Sequence, residues 1–328
     1  MFCLTMNVIQ EHLVRGDIMK VIFMGTPEFA VPIVSEISKV HQVVLVVTQP
    51  DVYNYKKKEI VFNPIKKWAV ENNVEVFQPE KIKLDFQKVL DTNADIIVTA
   101  AYGQIVGEEV LNHPRLKAIN VHGSLLPKYR GGAPIQRSII NGDLKTGITI
   151  MYMAKKMDAG DILAQKSIDI LDTDNQDSIF SKLSILGSQM INKVIDDLDK
   201  GLITPIPQNE DEVTFANNLS KEDEHIDFNK DARGVFNQIR GLNSNPTGYI
   251  IFDDLNVKVY NSVVSNKKHN TEVGKIVGIN KDSFDVSCAN GTVISLTEIQ
   301  LPSKKKMMVR DFINGQGKKM LVIGKEIK

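Results

Sequence analysis

Up to about residue 200 the chain alternates short β-branched apolar runs with amphipathic stretches, and beyond residue 207 strand-like runs dominate. Residues 20–24, 43–48, 74–77, 96–100, 116–121 and 147–153 read as strands, and 64–72, 134–141 and 177–200 as helices. Strands interleaved with helices predict an α/β unit with a mostly parallel sheet covered on both faces. The Gly-Thr-Pro turn at 25–27 follows the first strand, where Thr26 and Pro27 are placed to cap the next helix. At 328 residues the chain exceeds what a single core usually serves. The Pro-rich stretch 201–207 and the acidic 210–212 mark the end of a first domain and a linker at about 201–220. After a helical segment at 232–241, short strands at 249–252, 257–263, 275–279, 283–287 and 292–299 suit a small OB-like β-barrel. The expected divisions are therefore an extension at 1–18, a first domain at 19–207 and a second at 208–328. The extension is too polar for a signal-peptide core and reads either as an accessory helix or as residues upstream of a start at Met19.

The 116–121 run ends in Asn120-Val-His122 and passes into a loop punctuated by Gly123, Pro127, Gly131 and Gly132 before a helix opens at Pro134. Strand side chains two apart share a face, so Asn120 and His122 can reach one substrate atom together. An imidazole exchanges protons near neutral pH, and a carboxamide offers an uncharged donor to a developing oxyanion. Two such residues alone are more often structural polar groups than catalytic ones. Ser124 to Pro127 sets polar backbone beside apolar side chains, which suits a flat ligand with an amide edge. Met157-Asp158-Ala-Gly-Asp161 follows the 147–153 strand and serves either to orient the imidazole or as a plain turn. Neither a Gly-x-Gly-x-x-Gly nor a Walker phosphate loop occurs, so the 25–27 turn is a poor nucleotide site.

Residues 119–136, together with 147–153 and 157–161, resemble the methionyl-tRNA formyltransferase family, and the similarity runs from Lys20 almost to the C-terminus. The resemblance implies a Rossmann-like formyltransferase domain followed by an OB-like tRNA-binding domain. It implies transfer of the formyl group of 10-formyltetrahydrofolate to the free α-amine of initiator methionyl-tRNA. Asn120, His122 and Asp158 match the family's catalytic residues, whereas Asp161 does not. Ser124, Leu125, Leu126 and Pro127 match its folate-binding segment, and backbone at 97–103 would line the pterin pocket. In the family the counterpart of 49–64 is rich in Arg and Gly and enters the tRNA acceptor end; here no Arg follows Asp51 and glycine is absent. Lys56, Lys57 and Lys58 keep positive charge there, and Tyr53 and Tyr55 offer rings for unpaired bases. Asn243-Ser-Asn245-Pro246 stands where the family pattern has Ser-Pro-Trp-Pro.

Net charge is zero, yet residues 256–328 carry 13 basic against 6 acidic side chains, while 208–255 carry 4 against 10. The basic stretch, with Lys304, Lys305 and Lys306, is a candidate phosphate-contacting face. Two cysteines, Cys3 and Cys288, form neither a disulfide framework nor a zinc site, so no metal and a reducing cytoplasm are expected. No apolar stretch approaches the roughly 18 to 20 residues of a membrane helix, and a monomer is expected. Two other readings stay open: a formyltransferase for a small amine such as an amino sugar nucleotide, and a noncatalytic folate- or tRNA-binding protein. The basic terminal half, residues 256–328, argues against the first, and the Asn120, His122 and Asp158 set against the second.

Overall fold

The computed structural model describes residues 18–55 and 58–328. The extension at 1–17 and the cations Lys56 and Lys57 lie outside the described residues.

In chain order the first part contains β1 (Lys20–Gly25), β2 (Gln42–Val47), β3 (Val52–Asn54), β4 (Glu59–Val61), β5 (Val76–Phe77), β6 (Ile96–Ala100), β7 (Ala118–His122), β8 (Lys145–Tyr152) and β9 (Ile162–Asp169). Seven of them form one sheet in the order β5-β2-β1-β6-β7-β8-β9. Pairing is parallel from β5 to β7 and antiparallel at β7–β8 and β8–β9. Central strands such as β6, Ile-Ile-Val-Thr-Ala, are buried throughout, as strands covered on both faces require. Edge strand β9 exposes Gln165, Lys166 and Ser167, which blunts it against further pairing.

The helices are α1 (Val31–Ser38), α2 (Pro64–Glu71), α3 (Gln87–Asp91), α4 (Glu108–Leu111), α5 (Pro134–Ile140) and α6 (Gln176–Asp199). A capping box between Asn175 and Ser178 opens α6. Its Leu183, Ile191 and Val194 join Ile33 and Ile37 of α1 in a core that takes in Val21, Phe23 and Val98 of the sheet. A second cluster, with Ile22, Met24, Leu45, Ile97 and Val110, belongs to the opposite side chains of the same strands. The sequence expectation of a mostly parallel α/β sheet holds. The cap expectation does not: Pro27 precedes a short 3-10 turn without a side-chain cap, and the Thr26 hydroxyl donates to Tyr102 O at 3.0 Å instead. The 49–64 connection, read as a loop, contains the β3–β4 hairpin.

The second part contains α7 (Lys221–Glu224), α8 (Ala232–Leu242), β10 (Tyr249–Phe252), β11 (Leu255–Lys268), β12 (Ile276–Ile279), β13 (Phe284–Ser287), β14 (Thr292–Gln300), β15 (Met307–Met308), α9 (Val309–Asn314) and α10 (Gly317–Met320). Its strands pair antiparallel in the order β10-β11-β14-β13-β12, with β15 on β14, as an open half-barrel. Register irregularities in the 14-residue β11 let one strand bend along β14. Val235 and Ile239 of α8 close one side of a core made by Phe252, Val257, Phe284, Val286 and Leu296.

The two parts meet where α8 packs on α5. Arg137 on α5 holds Asp223 of α7 through two hydrogen bonds of 2.8 and 2.7 Å, and Arg240 donates to Leu171 O at 2.7 Å. Gly241 lets the helices approach: an added Cβ would lie 2.7 Å from Ile140 Cγ1, 3.2 Å from Ile140 N and 3.3 Å from Gln136 O. Alanine gains about 1 kcal/mol over glycine in a helix interior, whereas overpacking costs about 1–3 kcal/mol. The clash therefore wins. Gly241→Ala is expected to lower the melting temperature by roughly 2–4 °C, and a raised melting temperature would show that this contact is not tight.

Candidate active site

Asn120 and His122 stand on the same face of β7, the last strand of the parallel run, where the sheet reverses direction. Thr99 is the neighbour of Asn120 across the β6–β7 ladder, and its hydroxyl donates to Asn120 Oδ1 at 2.8 Å. That contact points the carboxamide oxygen at Thr99 and leaves the Nδ2 hydrogens without a partner among the described residues. His122 is 6% exposed, and its Nε2 lies 2.9 Å from Tyr129 O. A carbonyl only accepts, so Nε2 carries the hydrogen and Nδ1 is the atom left for a reacting group. Tyr129 itself sits at φ 64, and burial pushes its phenol up to about 12.

Nδ1 faces Asp158 Oδ2 at 3.8 Å, an ion-pair distance rather than a hydrogen bond. Asp158 arrives by a detour. The 153–161 loop leaves β8 beside the start of β7, where Met153 N donates to Ala118 O at 2.9 Å, and returns at Ile162 opposite Met151. In between, it runs back along the strand to bring the carboxylate to His122. Oδ2 accepts from Gly131 N at 2.8 Å, which ties this loop to the one after β7. Asp158 adopts φ 50, and Gly160 passes so close to Tyr152 that a Cβ would come within 1.9 Å of its carbonyl oxygen.

The segment beyond residue 200 holds both loops. Ile206 exchanges hydrogen bonds of 2.8 and 2.9 Å with Ile162, Arg130 N donates to Thr214 O at 2.9 Å, and Ala216 N donates to Arg130 O at 2.7 Å. Arg130, 1% exposed, donates to Gln208 Oε1 and, at 2.7 Å, to Glu210 Oε1. Lys156 reaches the other oxygen of Glu210 at 2.9 Å. The hydrogen bond from Arg130, seconded by that from Lys156, holds the Glu210 carboxyl down at about 2.

Ser124, Leu125, Leu126 and Pro127 follow β7 directly. Ser124 is fully buried and its hydroxyl donates to Lys128 O at 2.7 Å. Thr149 Oγ1 donates to Ser124 O at 2.6 Å and accepts from Leu126 N at 3.1 Å, and Gln165 Nε2 donates to Leu126 O at 2.6 Å. Leu126 is buried as well, so Leu125 and Pro127 are the half-buried side chains left to meet a ligand. Thr99, Tyr129 and Thr149 lie within stretches the sequence singled out but without a role there, and Gln165 and Gln208 lie outside them; only the strand register and the chain's return past Asp158 reveal what the five hold.

The β3–β4 hairpin is anchored at its base by Gln49, Asn63 and Gln78, with Asn63 Nδ2 and Gln78 Nε2 both donating to Gln49 O at 3.0 and 2.9 Å, and by an ion pair between Lys66 and Asp51. Tyr53 and Tyr55 project from it edge to face, centroids 5.0 Å apart, and Tyr55 is 84% exposed. Lys58 follows at φ 54. In the second part Lys304, Lys305 and Lys306 are exposed, but Lys306 is committed to Glu298 at 3.1 Å and stands over the Tyr260 ring. The 243–246 stretch that lacks the family's Trp is held by Asn243 Nδ2 donating to Tyr260 O at 2.8 Å. Among the described residues no cluster of His, Cys, Asp and Glu could hold a metal, and no helix is long and apolar enough to cross a membrane.

The formyl transferase family pattern matches residues 19–204, and that of the formyl transferase C-terminal domain matches 218–317. A methionyl-tRNA formyltransferase of Listeria monocytogenes serovar 1/2a is 43% identical over 303 residues, covering 92% of this chain and 97% of its own. One from Lysinibacillus sphaericus is 42% identical over 311 residues, covering 94% and 99%. Among solved structures, the sugar 3N-formyl transferase WlaRD, determined in the presence of dTDP and 5-N-formyl-THF, superposes with a TM-score of 0.65. It shares 19% identity, with 88% of this chain and 100% of that one covered, and so speaks for the fold.

Glu210 yields a pH prediction. Its folded value of about 2 lies below the ordinary 4.5, so its contribution to stability is present above pH 4.5 and is lost as the pH falls toward 2. Between those limits the melting temperature of the wild type is expected to fall more steeply than that of Glu210→Gln. Parallel curves would mean that the Arg130 contact does not form in solution.

Proposed function

The chain belongs to the methionyl-tRNA formyltransferase family, an enzyme family of one-carbon transfer, and we propose that Asn120, His122 and Asp158 move a formyl group from 10-formyltetrahydrofolate to the α-amine of initiator methionyl-tRNA. The observation that carries this reading is that Asp158 Oδ2 comes within 3.8 Å of His122 Nδ1, on the face of β7 that His122 shares with Asn120, whose Nδ2 has no partner among the described residues.

The acceptor's free α-amine has an ordinary pKa of about 7.7–8.0, so near neutral pH part of it is already nucleophilic and no activated serine or cysteine is needed. A bond forms between that nitrogen and the formyl carbon, and the bond from the carbon to the donor nitrogen breaks. Charge developing on the formyl oxygen is received by the Asn120 Nδ2 hydrogens, whose direction Thr99 has fixed beforehand. The facing acceptors His122 Nδ1 and Asp158 Oδ2 take the proton that the amine loses and release it to the departing nitrogen. The folate substrate fits the segment after β7, where the side chains of Leu125 and Pro127 are half-buried while Ser124 and Leu126 hold the loop's shape.

We assign catalysis to residues 19–207 and acceptor holding to 208–328, with the enzyme acting as a cytoplasmic monomer. The exposed rings of Tyr53 and Tyr55 suit unpaired bases, and Lys56, Lys57, Lys58, Lys304 and Lys305 suit backbone phosphates. Lys306, already paired with Glu298, is the weakest of the proposed set.

The test is formyl transfer from 10-formyltetrahydrofolate to charged initiator methionyl-tRNA, run beside elongator methionyl-tRNA and an amino sugar nucleotide. Initiator-selective transfer is expected; transfer to the sugar alone would overturn the proposal. Within that assay Asn120→Ala is expected to lose on the order of 10²- to 10³-fold in turnover, as other oxyanion donors do. Wild-type turnover would remove Asn120 from the chemistry.

A further inference from the structure

The 153–161 loop carries Asp158 far from the strand that launches it, and few of its own side chains hold it down. Gln208 grips its backbone: Nε2 donates to Asp158 O and to Gly160 O, both at 2.8 Å. The orientation of that carboxamide is forced. Its Oε1 accepts from Arg130 Nε at 3.0 Å and Nη2 at 2.8 Å, and a guanidinium can only donate. The amide nitrogen must therefore face the two carbonyls. These flank Ala159, so they fix the peptides on either side of the turn in which Asp158 takes φ 50. The Asp158 side chain is located separately by Gly131 N. Backbone and carboxylate are thus set from two directions, and Oδ2 meets His122 Nδ1 only where both constraints hold.

We infer that Gln208 is a positioning residue for the reaction: it aims the Asp158 carboxylate at His122. This rests on the reading of Asp158 as a proton-carrying group. Gln208 follows Ile206, which pairs with Ile162, so the segment leading to the second sheet also sets the catalytic loop.

Gln208→Glu separates this role from plain anchoring. A glutamate keeps, and strengthens by charge, the contact with Arg130, but presents a carboxylate oxygen to two carbonyl oxygens. Gln208→Ala removes both contacts without repulsion. The expected order of kcat is wild type, then Gln208→Ala, then Gln208→Glu. The glutamate variant is expected to lose about 10- to 100-fold, since a misplacement of about 1 Å can cost 10²-fold. KM for each substrate should stay within roughly threefold, because a loss confined to kcat marks an interaction realised in the transition state. The pH–rate profile should shift, which lost anchoring alone would not produce, and both variants are assayed below their own melting temperatures, which the lost Gln208 contacts are expected to lower by a few degrees. Gln208→Glu equal to or faster than Gln208→Ala would show that the residue only anchors Arg130 and would overturn the inference. Asp158→Asn is measured alongside. An inactive Asp158→Asn beside a fully active Gln208→Glu sinks this inference alone, whereas a fully active Asp158→Asn removes the chemical reading and this one with it.

Discussion

The hydrogen bond from Gly131 N to Asp158 Oδ2, 2.8 Å long, closes the site. The two loops it joins leave β7 and β8 at opposite ends of their shared ladder, because those strands run antiparallel. Without it, the carboxylate would have only backbone anchors and no fixed relation to His122. The bond is also charge-assisted, a carboxylate accepting from a backbone amide in a half-buried place, which makes it among the stronger neutral-backbone contacts available. Everything upstream of the site serves to bring these loops together: the parallel run ends at β7, the sheet reverses, and the reversal puts the β8–β9 connection within reach.

The side chains to which we assign the chemistry are oriented by neighbours outside it. Thr99 turns the Asn120 carboxamide and Tyr129 O selects the His122 tautomer, in each case through a single neutral hydrogen bond. Such a bond contributes about 1 kcal/mol to stability. Its value here is directional, since a donor aimed in advance costs no reorganisation when charge develops. The same logic extends outward through Gln208 and Arg130, so a residue near the end of the first sheet's territory fixes atoms at its centre.

Periodicity made the alternating strands and helices, the long α6 and the strand-rich second part legible, because each rests on local pattern and burial. The shared face of Asn120 and His122 was legible for the same reason: a strand has period two. Direction was not. Nothing local in 145–152 says that β8 runs against β7, and that reversal decides where Asp158 arrives. The β3–β4 hairpin was hidden by the Lys56 to Lys58 run, which masks the short apolar pairs Val52-Tyr53 and Ile60-Val61 on either side. Thr26 matched a cap by composition but found a carbonyl on a neighbouring strand end instead. Gln208 lies in a stretch that reads as linker, and its importance comes entirely from contacts formed after the chain has folded back.

Charge counting in the second part also changes meaning once partners are visible. Of the lysines in 256–328, Lys267 is bound to the buried carboxylate of Asp285 at 2.7 Å, and Lys325 is paired with Asp253 at 2.6 Å. Lys306 faces Glu298, and Lys275 faces Glu272 at 3.5 Å. A lysine already holding a carboxylate releases little when it meets a phosphate, because one ion pair is exchanged for another. Lys268, Lys281, Lys304, Lys305, Lys318 and Lys319 are exposed, and their side chains have no partner among the described residues. The positive face of this part is therefore much narrower than its net charge suggests. It consists of Lys268 at the end of β11, Lys281 between β12 and β13, and the four lysines after β14 and around α10, and any polyanion held by this half of the molecule meets those six side chains first.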